Sequence, residues 1–366
     1  MRVAVLSKAL VVGTYRRKLQ EMARLGIDVV AIVPPEWREG GGVQRLEQQS
    51  DLGYRVLVTP IRWNGHFHLH YYPNLARVLR DIQPDLLHVD EEPYNLSTFL
   101  AVRSAREMNI PSVFFSWQNL ARRYPPPFSW MESYVYHNVR AAIAGSSEAA
   151  RVLRDKGFDG PVAEIPQFGV DPDLFHTGGA KCRPFTVGFP NRLVPAKGPM
   201  LAVNAFARLP ADARLKIVGD GPMRGEIEAA VRNLHLGDRV SLQPRMPSAE
   251  MPDYLRSVDV VLLPSVSTSR WKEQFGRVLI EAMSCGVPVV ASDSGEIPRV
   301  LGDAGLIVPE GDESSLADAL LRLYRDSLLR TRLGQRGRAR VLERFTHARV
   351  AEATVGLYRE VLKKRA

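Results

Sequence analysis

The chain has 366 residues, 45% hydrophobic and 24% charged, with a formal net charge of +9 and two cysteines. That length favours two domains of ordinary size, and the composition is that of a soluble globular protein, which excludes disordered and collagen-like classes. Cys182 and Cys285 have no paired spacing and no Cys/His cluster around them, which speaks against a disulfide framework or structural zinc and fits a reducing cytoplasm.

The opening residues, Met1-Arg-Val-Ala-Val-Leu-Ser-Lys8, are a short apolar run broken by a lysine, with no small-residue cleavage site. They read as a first strand, not a signal peptide. No run of about 18 apolar residues occurs, so no membrane span is expected. Strand-like runs follow at 3–6, 29–33, 54–58, 86–89, 112–115 and 141–144, with helical patterns at 15–25, 75–81, 97–108 and 148–156. Such alternation predicts a parallel sheet with helices on both faces. The stretch 166–180, rich in Gly, Pro and Asp, reads as a linker. The pattern then restarts, with strands expected at 185–189, 215–218, 240–243, 258–263, 287–291 and 305–308 and helices at 199–208, 223–234, 252–256 and 275–284. Two doubly wound domains in series are expected to bind ligand outside the carboxyl ends of their strands. Thr346 resembles an N-cap for a last amphipathic helix at 348–364. Residues 1–180 carry 20 Lys and Arg against 19 Asp and Glu, whereas 321–366 carry 13 against 4. This basic excess reads as a solvated helix face, or as attraction to an anionic membrane or polymer.

The segment with most chemistry is Glu273-Gln-Phe-Gly-Arg-Val-Leu-Ile-Glu281. A helix that starts after Gly276 offers unpaired N–H groups and a positive dipole end, a natural seat for phosphate oxygens. Eight helical steps leave Glu273 and Glu281 about 80° out of line. Glu273 is therefore expected in the loop and Glu281 inside the helix, touching different parts of one ligand. A carboxylate that accepts from neighbouring hydroxyls suits a sugar or a ribose. Asn191-Arg-Leu-Val-Pro-Ala-Lys-Gly198 follows a strand, where Arg192 and Lys197 can clamp a diphosphate without a metal. Ile217-Val-Gly-Asp-Gly-Pro222 reads first as a tight turn after a strand.

Weaker signals remain. Gly65-His-Phe-His-Leu-His70 would put three histidines on one face of a strand, although an aromatic loop near the acceptor is preferred to a metal site. Asp171-Pro-Asp173 reads as a turn. Asp90-Glu-Glu-Pro93 orients an acceptor or caps the helix beginning near Asn95. Tyr15-Arg-Arg-Lys18 and Ala121-Arg-Arg-Tyr124 read as contacts to lipid headgroups or as exposed helix charges.

These motifs, with Leu262-Leu-Pro-Ser265, Glu281-Ala-Met-Ser-Cys-Gly-Val-Pro-Val-Val-Ala-Ser-Asp-Ser-Gly295, Gly305-Leu-Ile-Val-Pro309 and Ile165-Pro-Gln-Phe-Gly-Val-Asp-Pro-Asp-Leu-Phe175, carry a resemblance. Along its whole length the chain resembles the retaining glycosyltransferases of GT-B architecture, the family-four type. The resemblance implies an α/β GT-B fold: two doubly wound Rossmann-like domains facing each other across a cleft, with a C-terminal helix crossing back to the first domain. It divides the chain into an acceptor domain at 1–178, a nucleotide-sugar domain at 179–345 and the helix at 346–366. It implies that Arg192 and Lys197 bind the donor diphosphate, that Glu281 holds the ribose and that Glu273 reaches the sugar. Gln274, Phe275 and Gly276 would support sugar and phosphate through their amides. Gly219, Arg277, Arg245 and Met246 complete the donor set, the last two near the base. No cofactor or metal is implied. Relatives often carry a Gly-Gly loop where this chain has Ser7-Lys-Ala-Leu-Val-Val-Gly13-Thr14, and a histidine where it has Ser116-Trp-Gln-Asn119. Gly13, Thr14, Glu91, Gln118 and Asn119 are the acceptor-side candidates.

The expected activity is transfer of a hexose from a UDP-, GDP- or ADP-sugar to a hydroxyl of a sugar, glycan or lipid-linked acceptor. The location is cytoplasmic, with peripheral contact at the inner membrane face as a variant; no nucleic acid is expected. The alternatives are a nucleotide-sugar epimerase or hydrolase on the same architecture, and a non-catalytic glycan or polymer binder. The absence of Gly-x-Gly-x-x-Gly after the first strand disfavours a nicotinamide dehydrogenase.

Overall fold

The computed structural model describes residues 1–39, 42–48, 53–179 and 184–363. It forms two compact units, Met1–Gly169 with His347–Ala366, and Val170–Thr346. The division at Gly169 and Val170 falls inside the stretch read as a linker, nine residues before the boundary that the resemblance implied. Ala180, Cys182 and Lys364 lie outside the described residues.

The first unit holds β1 (Arg2–Leu6), β2 (Asp28–Val33), β3 (Glu36–Glu39), β4 (Gly42–Arg45), β5 (Arg55–Val58), β6 (Leu86–Val89), β7 (Ser112–Ser116), β8 (Ala141–Ala144) and β9 (Val162–Glu164). Seven of these make one sheet in the order β5-β2-β1-β6-β7-β8-β9, parallel throughout, while β3 and β4 pair as a separate antiparallel hairpin. Side chains alternate across a strand. Val3 and Val5 therefore join Leu19, Met22, Val350 and Val355 on one face, while Ala4 and Leu6 join Leu79 and Ala101 on the other. Covering both faces buries β6 and β8 completely, which is why they read as unbroken apolar runs. The helix His347–Lys363 is part of the first of these two cores.

The second unit holds β10 (Thr186–Pro190), β11 (Arg214–Val218), β12 (Val240–Gln243), β13 (Val260–Leu263), β14 (Val289–Ser292) and β15 (Gly305–Val308) in the parallel order β12-β11-β10-β13-β14-β15. In each sheet the chain first builds outward on one side and then returns to build on the other. This places a crevice where the direction changes, between β1 and β6 and between β10 and β13.

One expectation about charge is corrected and another is refined. Tyr15-Arg-Arg-Lys18 is neither a lipid contact nor an exposed charge run, because Arg16 and Lys18 are only 2% and 4% exposed and Tyr15 stacks on Phe168. Arg16 donates to the Glu47 carbonyl. Most of the C-terminal basic excess is a solvated helix face, as one of its two readings had it, with Arg338 and Arg340 among the exceptions. Arg338 donates to the carbonyls of Phe175, Ser284 and Pro172, and Arg340 to those of Val300 and Arg299. These arginines end loops and helices whose last carbonyls have no helical partner.

His88 of β6 reaches the last helix through a 2.6 Å contact between its Nδ1 and the Tyr358 hydroxyl, in the first unit's interior. Burial pushes the His88 imidazole down to about 4, with the Asp90 charge opposing and the Lys18 charge assisting. A histidine held neutral in the fold adds stability above its ordinary value of 6.5, and that stability is lost as pH falls through the window from 6.5 to 4. The shift corresponds to about 3 kcal/mol. Urea unfolding should therefore show the parent protein losing more stability between pH 7 and pH 4 than His88→Asn, by up to that amount. Parallel losses in the two proteins would remove His88 from the account.

Candidate functional site

The crevice of the second sheet is built from two loops that interlock. After β10 the chain passes Asn191 and a short turn at Pro195–Lys197, and Gly198 then opens the helix Pro199–Ala207. After β13 it passes Pro264 and Ser265. The Val266 amide donates to the Ala196 carbonyl at 2.9 Å, and Asn191 Nδ2 to the Leu262 carbonyl at 3.4 Å. Gly198 has φ +63°, and a Cβ there would lie 2.1 Å from the Pro264 carbonyl oxygen, so no larger residue allows this approach.

The interlock brings Lys197 onto Glu273. The two form a salt bridge, and the Ser265 hydroxyl donates to the same carboxylate oxygen at 2.8 Å. Glu273 is 6% exposed, and the ammonium lies 5.1 Å from the centre of the Trp271 ring. Burying two charges costs several kcal/mol per ion before their attraction is counted. The added hydroxyl and ring face offset part of that cost. Behind Glu273, its carbonyl accepts the Glu296 amide at 3.1 Å. Gly295, at φ +54°, leaves room there, since a Cβ would lie 2.1 Å from that oxygen.

Gly276 caps the helix Arg277–Ser284, whose N-terminus has no side-chain cap. This helix start directly follows the loop that carries the Lys197–Glu273 pair. The structure thus puts Glu273 in the loop and Glu281 in the helix, as the angular argument expects. Glu281 is buried and accepts from Arg277 Nε at 2.7 Å. Burial raises its carboxyl above the ordinary range, with Arg277 opposing. Gln274 is exposed, and Phe275 packs edge-on against Phe345. Arg192 is exposed and makes no ion pair among the described residues. Gly219 follows β11 and donates to the Gln243 carbonyl, while the Arg245 amide donates to Asp220 at 3.0 Å with Met246 half-buried beside it. Three contributors were not singled out from sequence: Ser265, Trp271 and Gly295. The first and last stood inside quoted motifs, and their contacts exist only once distant loops meet.

The acceptor-side candidates fare differently. Gly13 opens a turn and donates its amide to Glu47 at 2.7 Å, with Thr14 exposed beside it. Glu91 is spent on Lys8 at 2.9 Å, His70 at 2.7 Å and Ser97 at 3.1 Å. Burial opposes its ionisation, but the facing His70 and Lys8 hold its carboxyl well below the usual range. Gln118 accepts from Lys156 at 3.0 Å, and Asn119 donates to Glu148 at 3.4 Å. The histidine stretch is no strand. His70 is buried against Glu91, His68 is half-buried near Tyr94, Tyr124 and Phe128, and His66 is exposed. Asp171-Pro-Asp173 is a turn, closed by the Asp173 amide on Asp171 at 3.0 Å.

A cavity of about 930 Å³ opens at the other end of the second sheet, lined by Phe185, Val287, Cys285 and Arg338 among others. Its arginines are committed to carbonyls, and burial pushes the Cys285 thiol up to about 12. Among the described residues it therefore has neither a free cation nor a reactive thiol.

Two family models match the chain: glycosyl transferases group 1 over residues 173–340, and a glycosyl transferase 4-like domain over 12–167. The chain is 37% identical over 165 residues to N-acetyl-alpha-D-glucosaminyl L-malate synthase of Bacillus anthracis, covering 44% of this chain and 42% of the relative. It is 31% identical over 268 residues to D-inositol 3-phosphate glycosyltransferase of Stackebrandtia nassauensis, covering 66% and 59%. The matches thus span about half the length of these curated relatives. Among solved structures, Anabaena HepE in complex with UDP superposes with a TM-score of 0.77 at 19% identity, covering 98% of this chain and 100% of that one. With such neighbours the fold is GT-B.

Gly295→Ala tests the support behind Glu273. The left-handed backbone and the blocked carbonyl together should cost about 2 kcal/mol or more. Chemical denaturation should show that loss, and an unchanged midpoint would mean that the loop behind Glu273 gives way without cost.

Proposed function

We propose, since the chain belongs to the glycosyl transferases of group 1, that it moves a sugar from a nucleotide-diphosphate sugar to an acceptor hydroxyl with retention of anomeric configuration. The observation that carries this reading is the Lys197–Glu273–Ser265 cluster beside an uncapped helix start, in the crevice of the second sheet. HepE, whose fold this chain shares, has been solved with UDP and with UDP-glucose. The names of the two relatives include L-malate and D-inositol 3-phosphate, each a hydroxylated anion.

In this reading the diphosphate lies over the amides that follow Gly276, with Lys197 and Arg192 on its oxygens. Lys197 has three N–H donors and gives one to Glu273, so it can bind phosphate while staying near the carboxylate. Glu273 accepts from a hydroxyl of the donor sugar, and Glu281 from the ribose. The acceptor oxygen attacks the anomeric carbon from the face that the diphosphate leaves. The bond to the diphosphate oxygen breaks, and the acceptor proton passes to that departing oxygen. The protein supplies position and positive charge where negative charge develops. Two cationic side chains and a helix start provide that charge, so the reading needs no metal.

Lys197→Met and Glu273→Gln should each lower kcat about 100-fold or more while circular dichroism stays unchanged. Full activity in both variants would remove the site assignment. A thermal-shift series with UDP-, GDP- and ADP-glucose should show one strong stabiliser, since a ligand at 100 times its Kd adds about 3 kcal/mol. No shift with any nucleotide sugar would count against the transferase reading itself.

A further inference from the structure

The crevice of the first sheet ends in three consecutive carboxylates, Asp90, Glu91 and Glu92, immediately after β6. Two of them are buried. Asp90 accepts from Gln167 Nε2 at 3.0 Å through one oxygen, and its other oxygen is closed off without a partner among the described residues. Glu91 is paired with Lys8 and lies against His70. Glu92 is different. It is half-buried and accepts from the Ser116 hydroxyl at 2.7 Å and from the Trp117 amide at 2.7 Å. It makes no ion pair among the described residues. A carboxylate has about four lone-pair sites, so roughly half of its capacity remains.

The nearby cations do not turn to it. Lys8 is bound to Glu91 and lies over the Trp37 and Phe67 rings at 5.3 and 5.4 Å. Lys156 is bound to Glu132 and to Gln118, and lies over the Tyr94 and Tyr124 rings at 5.7 and 5.3 Å. Those two rings lie 4.3 Å apart, and His68 sits 5.4 to 5.6 Å from Tyr94, Tyr124 and Phe128. His68, Tyr124 and Phe128 are half-buried, so this aromatic shelf keeps an open edge.

We propose that Glu92 positions the acceptor, and that the acceptor group it takes is uncharged and rich in hydroxyls, as a sugar ring is. The assignment rests on the transferase reading above. A carboxyl group without a cation partner exchanges hydrogen bonds with hydroxyls and gives a phosphate or carboxylate nothing to pair with, while aromatic faces suit the C–H surface of a sugar. Burial pushes the Glu92 carboxyl up to about 7, against the pull of Ser116, Trp117, Lys8 and Lys156. This is the behaviour of a carboxylate with too few donors, a deficit that a sugar hydroxyl makes good.

The test is a steady-state transfer assay with the nucleotide sugar that stabilises the protein. Methyl α-D-glucopyranoside and methyl α-D-mannopyranoside are set against glucose 6-phosphate and glucuronate. The neutral glycosides should be used with kcat/KM at least tenfold above the anionic ones. Glu92→Gln should raise the acceptor KM at least tenfold with the donor KM unchanged, a split that a merely structural role would not give. Tyr124→Ala, on a half-exposed ring, should move the acceptor KM in the same direction and decides the matter if Glu92→Gln does not fold. An unchanged acceptor KM in the folded variants, a preference for the anionic sugars, or no transfer to either neutral glycoside overturns the proposal. A protein that no nucleotide sugar stabilises fails at the earlier step, whereas donor stabilisation with anionic preference fails only here.

Discussion

Lys197 and Glu273 lie 76 positions apart in the chain and meet in the interior of the second unit, where neither tolerates being alone. Removing one partner would strand the other in a medium that solvates charge poorly. Ser265 fixes the carboxylate from β13, and Gly295 lets a third segment close behind it. The site is held by this one neutralisation. The uncapped helix start lies beside it because Gly276 directly follows the Glu273 loop. A ligand phosphate would enter an environment whose positive groups are already set in place, which is the condition for electrostatic stabilisation without reorganisation.

The same economy of charge runs through the first unit. Arg16, Lys18, Lys8 and Lys156 all lie at or below the surface, and Lys8 and Lys156 each have a carboxylate of their own. At the edge of this sheet Glu92 is half-buried and has no cation partner among the described residues. Two sheets with the same winding therefore present opposite characters at their crevices. One offers amides and a lysine, the other an acid and aromatic rings.

Much of the fold was legible because buried parallel strands are nearly all apolar. Leu86–Val89 and Ala141–Ala144, buried at every position, begin and end where the apolar runs do. The hairpin at Glu36–Glu39 and Gly42–Arg45 was not legible, since it is short, largely exposed and charged, and lies on no buried face. Positions of Glu273 and Glu281 followed from helix geometry alone. Their partners did not: a serine after a strand and a tryptophan in a loop carry no periodic signal, and only the meeting of β10 and β13 gives them a role. Charge misled most. Tyr15-Arg-Arg-Lys18 looks solvated until the Glu47 carbonyl accepts one of its arginines, and Glu91, the acidic residue named among the acceptor-side candidates, is already paired with Lys8 and packed against His70.

The first unit is closed by a helix that lies 270 positions from the histidine it touches. A ribosome delivers residues 347–363 only after all of 170–346 has emerged. The unit begun first is therefore completed second, and until then β1 and β2 expose the face that Val350, Val355 and Tyr358 will cover. An exposed apolar sheet face on a nascent chain invites association with other chains. The second unit, continuous in sequence, has no such wait. The interval between the two is a period of vulnerability set by topology, and its length scales with the translation time of the inserted unit, not with the intrinsic speed of either fold.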